Sequence, residues 1–202
     1  MEISEAVKKP FSDWSKFAIG SLLGLIPVVN FAVNGFGLQN VKESKKLPEF
    51  SFNSWVLGLK CVGVSVVYGL LTLLILLPFI SGPIIYIAGQ IASGNMPTAS
   101  TFISVAGSAV FALLVTIATI PAQFGARLKL ARTENFVDAL NIPEVIKYSY
   151  RWSFIKHVLL AMLIDLPIAV VSGFVPIVGT AVGMYVMAVF TWTYVGANAP
   201  KK

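Results

Sequence analysis

Polar positions are so sparse along this chain that its apolar stretches dominate any reading of it. Residues 61 to 126 include no Asp, Glu, Lys, Arg or His. A helix crossing a bilayer needs ~20 mostly apolar residues, so this run alone has room for two or three. With its flanks, the pattern predicts an all-α polytopic transmembrane bundle of about six spans. They fall at 17–38, 55–77, 83–92, 101–124, 154–171 and 176–195. The third is short, since about ten residues rise only ~15 Å as helix. It either extends across residues 93–100 or is a re-entrant half-helix.

Prolines punctuate the pattern, because each removes a backbone donor and clashes with the preceding turn. Pro27 predicts a kink or break near Ile26 in the first span, and Pro78 with Ser81-Gly82-Pro83 predicts a turn after the second. Phe11, Trp14 and Phe17, and later the FSFNSW segment at 50–55, read as aromatic belts at the headgroup level. Lys60 lies one turn inside the second span and can snorkel back along its methylene stem. Residues 126–151 are the most polar part. There Asn141 predicts an N-cap with Glu144 as its capping-box partner, opening an amphipathic interfacial helix over 143–152. Its spacing puts Val145, Ile146, Ser149 and Trp152 on one side and Lys147 and Arg151 on another.

Composition agrees with a membrane class. Mean hydropathy is +0.81 and charged residues make up 12%, about half the share of a soluble domain. The 202 residues suit a single membrane domain. Net charge is +6 with a pI near 9.5, which in a membrane protein points to anionic lipid headgroups. No basic tract interleaved with aromatics supports nucleic-acid binding. Cys61 and His157 are the only residues of their kinds, so neither a disulfide nor a metal site is expected, and no cofactor motif is present. The first residues read neither as a secretory signal nor as a lipidation motif.

Six spans would place both termini and the 126–151 loop on one side. That side carries Lys8, Lys9, Lys16, Arg127, Lys129, Arg132, Lys147, Arg151, Lys156, Lys201 and Lys202, against Lys42, Lys45, Lys46 and Lys60 on the other. The bias predicts a multi-pass protein of the cell membrane with cytoplasmic termini.

Two internal matches compete. At a spacing of about 94 residues Ile26-Pro27 recurs as Ile120-Pro121, and Leu47-Pro48-Glu49 as Ile142-Pro143-Glu144. These would divide the chain into halves 1–97 and 98–202, inverted in the membrane as in many transporters. IPVVNFAV at 26–33 also matches VPIVGTAV at 175–182, a different offset.

Three segments carry a resemblance: KKPFSDWSKFAIGSLLGLIPVVNFAVNGF at 8–36, LPEF-x4-W at 47–55, and ALNIPEVIKYSYRW at 139–152. In that order they resemble the archaeal integral-membrane family catalogued as domain of unknown function 4013. The resemblance covers nearly the whole chain and implies a multi-span membrane protein, with no activity attached. Members typically carry more acidic residues after LPE, where this chain has FSFNSW.

Candidate chemistry is thin. Asp165 lies about twelve residues into the fifth span, where an ionised carboxylate costs roughly 2.5 kcal/mol or more unless paired or protonated. It reads either as a proton or cation site or as the cap of a helix restarting at Leu166-Pro167. Asn30, Asn34 and Gln123, with Gln90, either line a polar site or satisfy broken backbone and interhelical contacts. Arg127, Lys129, Arg132, Lys147 and Arg151 are candidate lipid-headgroup contacts. His157 reads as a headgroup-level residue, and Gly20/Gly24, Ser104/Ser108 and Gly179/Gly183 as packing seams. No paired carboxylates, HExxH, GxSxG or P-loop is present, so no enzyme is expected. Two classes remain: a non-catalytic scaffold or accessory subunit contacting anionic lipid, a second copy or a membrane-protein partner, and a small transporter or channel using Asp165.

Overall fold

The computed structural model describes residues 1–42, 46–96 and 98–200. Among these the regular structure is all helical, with no strand. The helices are α1 (Ile3–Lys8), α2 (Trp14–Gly24), α3 (Phe31–Gln39), α4 (Phe52–Ala92), α5 (Ala99–Thr133), α6 (Phe136–Ala139), α7 (Ile142–Ser149), α8 (Trp152–Gly173) and α9 (Val178–Asn198). A 3₁₀ turn at Lys9–Phe11 links α1 to α2. The chain forms two compact units, Met1–Ser65 with Pro121–Lys202, and Val66–Ile120. Four helices, α4, α5, α8 and α9, are long and apolar enough to cross a membrane.

The region expected as a first span is two short helices of 11 and 9 residues, each roughly 14–17 Å long and too short to cross alone. Asp13 starts α2 by accepting from the Ser15 and Lys16 amides at 3.0 and 3.1 Å. The chain leaves the helix over residues 25–30, around Pro27, before α3 begins. By contrast, the turn expected between Pro78 and Pro83 does not form, and α4 runs through both prolines for 41 residues. The second and third expected spans are therefore one helix. A turn there would strand several backbone groups among apolar side chains, whereas a continuous helix forfeits one bond per proline. Pro121 and Pro167 also lie inside continuous helices, α5 and α8.

The two proline breaks that do form share a Gly-x-x-Pro pattern and a positive φ after the proline. Gly24-Leu25-Ile26-Pro27-Val28-Val29 and Gly173-Phe174-Val175-Pro176-Ile177-Val178 each end one helix and lead into the next. The residue after proline has positive φ in both, 72° at Val28 and 69° at Ile177. At Ile177 the Val178 amide donates to the Pro176 carbonyl at 2.9 Å, closing a γ-turn. At Val28 the carbonyl accepts instead from Trp55 Nε1 at 3.2 Å. These are the segments of the 149-residue match, whereas Ile120-Pro121, of the 94-residue match, lies within α5.

In the first unit α9 packs against α2, α3 and α8. Its apolar window is 67% buried, against 17% for α8, so protein rather than lipid surrounds it. The core joins Val33, Phe36, Leu47, Tyr185, Val186 and Val189. Phe36 stacks on Phe50 at 4.0 Å, and Phe17 meets the Tyr185 ring edge-on at 5.7 Å; such pairs add about 0.5–1.5 kcal/mol each beyond burial. Gly35 of α3 and Gly58 of α4 cross with their backbones in contact. A Cβ at 35 would lie 2.7 Å from the Gly58 nitrogen, and one at 58 would lie 2.6 Å from the Phe31 carbonyl carbon.

Several polar contacts join distant segments of this unit. Lys42 pairs with the Glu134 carboxylate and Lys60 donates to the Glu134 carbonyl at 2.8 Å. Asn198 donates to the Met1 carbonyl at 3.1 Å, and Lys16 pairs with Glu49 at 2.6 Å. This corrects the expected segregation of basic loops, for Lys42 and Lys60 join the 126–151 segment rather than lying opposite it. Lys45, Lys201 and Lys202, counted in that expectation, lie outside the described residues.

The second unit consists of the C-terminal part of α4 and the N-terminal part of α5, joined by residues 93–98. Gly94, at φ 72°, closes α4 in a Schellman motif: Asn95 N donates to the Gln90 carbonyl at 2.9 Å and Gly94 N to that of Ile91 at 3.0 Å. Thr101 Oγ bonds both the Thr98 amide and Gln90 Oε1, and the Phe79 and Phe111 rings meet tilted at 4.1 Å. This unit contains no charged residue. Leu74, Ile85 and Ile103 are exposed, as expected of a hairpin solvated by lipid.

Candidate functional site

In the first unit a cavity of about 560 Å³ lies between the C-terminal part of α5 and α7 with its exit. Helical spacing builds it. Lys129 and Arg132, three apart, come from one face of α5, while Glu144, Lys147, Tyr148 and Arg151 come from α7 and its exit. Asn141 caps α7 by accepting from the Glu144 amide at 3.5 Å, and Pro143 sits in its first turn. Gly125 lets α7 approach, since a Cβ there would lie 3.0 Å from that of Ser149. Val145 and Ser149 are buried. Ile146 and Trp152, expected on the same side, are exposed; Trp152 lies beyond the turn at Tyr150 and Arg151, in α8.

Four cations face one carboxylate in this cavity. Lys129 pairs with Glu144, so the acid expected to complete the capping box turns its carboxylate to α5. Arg132 is committed as well: Nη1 donates to the Pro200 carbonyl at 2.9 Å and to the Tyr148 hydroxyl at 3.1 Å, and Nη2 to the Ala199 carbonyl at 3.3 Å. Tyr148 in turn donates to the Pro200 carbonyl at 3.1 Å. Burial pushes its phenol up from the usual range, partly opposed by the Arg132 guanidinium, so it stays a neutral donor at pH 7. Lys147 and Arg151 enter no ion pair among the described residues.

Four of the five residues expected at lipid headgroups thus line one cavity. The fifth, Arg127, turns away and donates from Nε to Ser65 Oγ at 3.2 Å. Sequence reasoning missed Tyr148 and Ala199-Pro200; an aromatic beside Lys147 was the available sign for the former.

The intramembrane polar residues do not meet one another. Asp165 accepts from Thr191 of α9 through Oδ2 while Oδ1 is buried without a partner. The Asn30 Oδ1 is likewise buried and unpaired. No hydrogen bond joins any two of Asp165, Asn30, Asn34 and Gln123 among the described residues, and none of the four lines the cavity. The capping role considered for Asp165 is excluded, since α8 continues unbroken past it to Gly173. His157 bonds the Tyr194 hydroxyl at 3.0 Å. A buried carboxylate with one hydrogen bond is a stability cost, and asparagine keeps the acceptor for Thr191. Asp165→Asn is therefore expected to hold or raise the melting temperature in detergent, and a fall of several degrees would contradict this.

Residues 19–184 match a family model described as "Protein of unknown function (DUF4013)". No curated protein and no solved structure matches the chain.

Proposed function

Since this chain belongs to the DUF4013 family of proteins of unknown function, we propose its role from geometry: a non-catalytic integral membrane scaffold or accessory subunit that holds an anionic lipid headgroup in its basic cavity. The observation that supports this most is the cavity. Lys129, Arg132, Lys147 and Arg151 converge there with one carboxylate, at the ends of apolar helices. Exposed Ile146 and Trp152 beside Lys147 and Arg151 suit an interfacial α7, with its apolar side chains in the headgroup zone. In this reading α4, α5, α8 and α9 span the membrane and α2–α3 re-enters. All Lys and Arg lie in residues 1–65 and 121–202, and the turns at 93–98 and 174–177 carry no charge, which favours a cytoplasmic charged end.

Thermal unfolding of the purified full chain in nonionic detergent tests it. A phosphatidylglycerol titrant at a hundred times its Kd stabilises by about 2.7 kcal/mol, or roughly 5–10 °C for a chain of this size. Phosphatidylcholine is expected to give no shift, and Lys147→Ala/Arg151→Ala to lose most of the anionic one. Equal shifts with both lipids, or an unchanged shift in the double variant, would remove the headgroup reading.

The buried, unpartnered Asp165 Oδ1 favours a second reading, a small transporter or channel with Asp165 as its proton or cation site. Proteoliposome flux separates the two: transport requires flux that Asp165→Asn abolishes, while the scaffold reading requires background traces from both proteins.

A further inference from the structure

The cations of the cavity are not equivalent, and the difference defines a ligand class. Lys129 is neutralised by Glu144, and Arg132 is spent on two backbone carbonyls and a hydroxyl. Lys147 on α7 and Arg151 just past its end remain, both exposed and both lining the cavity. Together they offer two uncompensated positive charges, one a planar guanidinium fork and the other a compact ammonium. A phosphodiester headgroup carries one negative charge. A phosphomonoester, with its second pKa near 6, carries nearly two at pH 8, with three terminal oxygens for a bidentate Arg contact and a Lys contact together. The cavity also has an apolar wall, Gly125 and Val145, suited to the glycerol and first methylenes behind such a phosphate.

We propose that this cavity selects a membrane lipid with a phosphomonoester headgroup, bound through Lys147 and Arg151. The inference rests on the headgroup reading above and narrows it from any anionic lipid to one headgroup chemistry. Arg151 supplies the geometric discrimination and Lys147 the second charge. Lys129 and Arg132 hold the frame of the cavity without being available to the ligand.

The test compares four probes on the detergent-solubilised full chain at pH 8 by thermal shift and native mass spectrometry: phosphatidic acid, phosphatidylglycerol, glycerol 3-phosphate and inorganic phosphate. Phosphatidic acid is expected to bind about tenfold more tightly than phosphatidylglycerol, through the extra charge against two cations. Arg151→Lys keeps the net charge and is expected to leave phosphatidylglycerol binding within about twofold while reducing the preference to about threefold or less. Equal affinity for the two lipids would overturn the phosphomonoester inference and leave the anionic-headgroup reading standing. Absence of binding by either lipid would remove both. Glycerol 3-phosphate or phosphate binding as tightly as phosphatidic acid would also overturn the proposal, making the site one for soluble phosphomonoesters.

Discussion

Gly35→Ala and Gly58→Ala are each expected to abolish stable folding of the first unit, or to lower its stability by roughly 3–5 kcal/mol. Overpacking a core commonly costs about 1–3 kcal/mol because side chains can shift out of the way. Here the added carbon meets backbone. A Cβ at 35 collides with the Ser54 carbonyl and lies 2.7 Å from the Gly58 nitrogen, while one at 58 collides with the Phe31 carbonyl. Neither group can move unless α3 and α4 separate. Separation would also break the bonds that depend on the crossing: Ser54 Oγ to Gln39 Oε1 at 2.9 Å, and Trp55 Nε1 to the Val28 carbonyl at 3.2 Å. Gly69→Ala is the control, since a Cβ at 69 meets nothing within 4 Å and alanine is the better helix former. Thermal melts of the three variants in one detergent check this. A Gly58→Ala protein melting within a degree or two of wild type would show that the crossing is looser than described.

The membrane class was legible because it depends on local composition alone, and the uncharged stretch from 61 to 126 allows no other fate for that many apolar groups. The α7 cap was legible for a similar reason, since Asn141 and Pro143 act within one turn. The basic residues of the cavity were legible as a charged segment but not as a cavity. Their convergence depends on Gly125 admitting Ser149, and on Arg132 reaching the Ala199 and Pro200 carbonyls from far along the chain. The expected second and third spans are separate because Pro78 and Ser81-Gly82-Pro83 read as a turn, yet the prolines do not act alike. Those at 78, 83, 121 and 167 stay in helices, while those at 27 and 176 break them. The breaking pair alone has glycine three residues earlier, Gly24 and Gly173, where the helix ends. That G-x-x-P signal is in the sequence.

The breaking turns lead to the second large effect, which has the opposite sign. A β-branched residue at φ near 70° sets its Cβ against its own backbone, and such strain costs about 1–3 kcal/mol per site. Val28 and Ile177 both bear it, and both side chains are more than half exposed, so their burial offsets little of that cost. Glycine adopts positive φ freely and forfeits only about 0.5–1 kcal/mol of chain entropy. Val28→Gly/Ile177→Gly is therefore expected to raise stability by roughly 1–4 kcal/mol over wild type in detergent. Ile177→Gly should supply the larger share, because the γ-turn there is closed by its own backbone bond and needs nothing from the side chain. In bilayers the gain should shrink, as Ile177 then trades lipid contact for the relief. Denaturant titration of the single and double variants in detergent and in nanodiscs measures both terms. A double variant no more stable than wild type in detergent would mean that the strain at these turns is far smaller than their backbone angles imply.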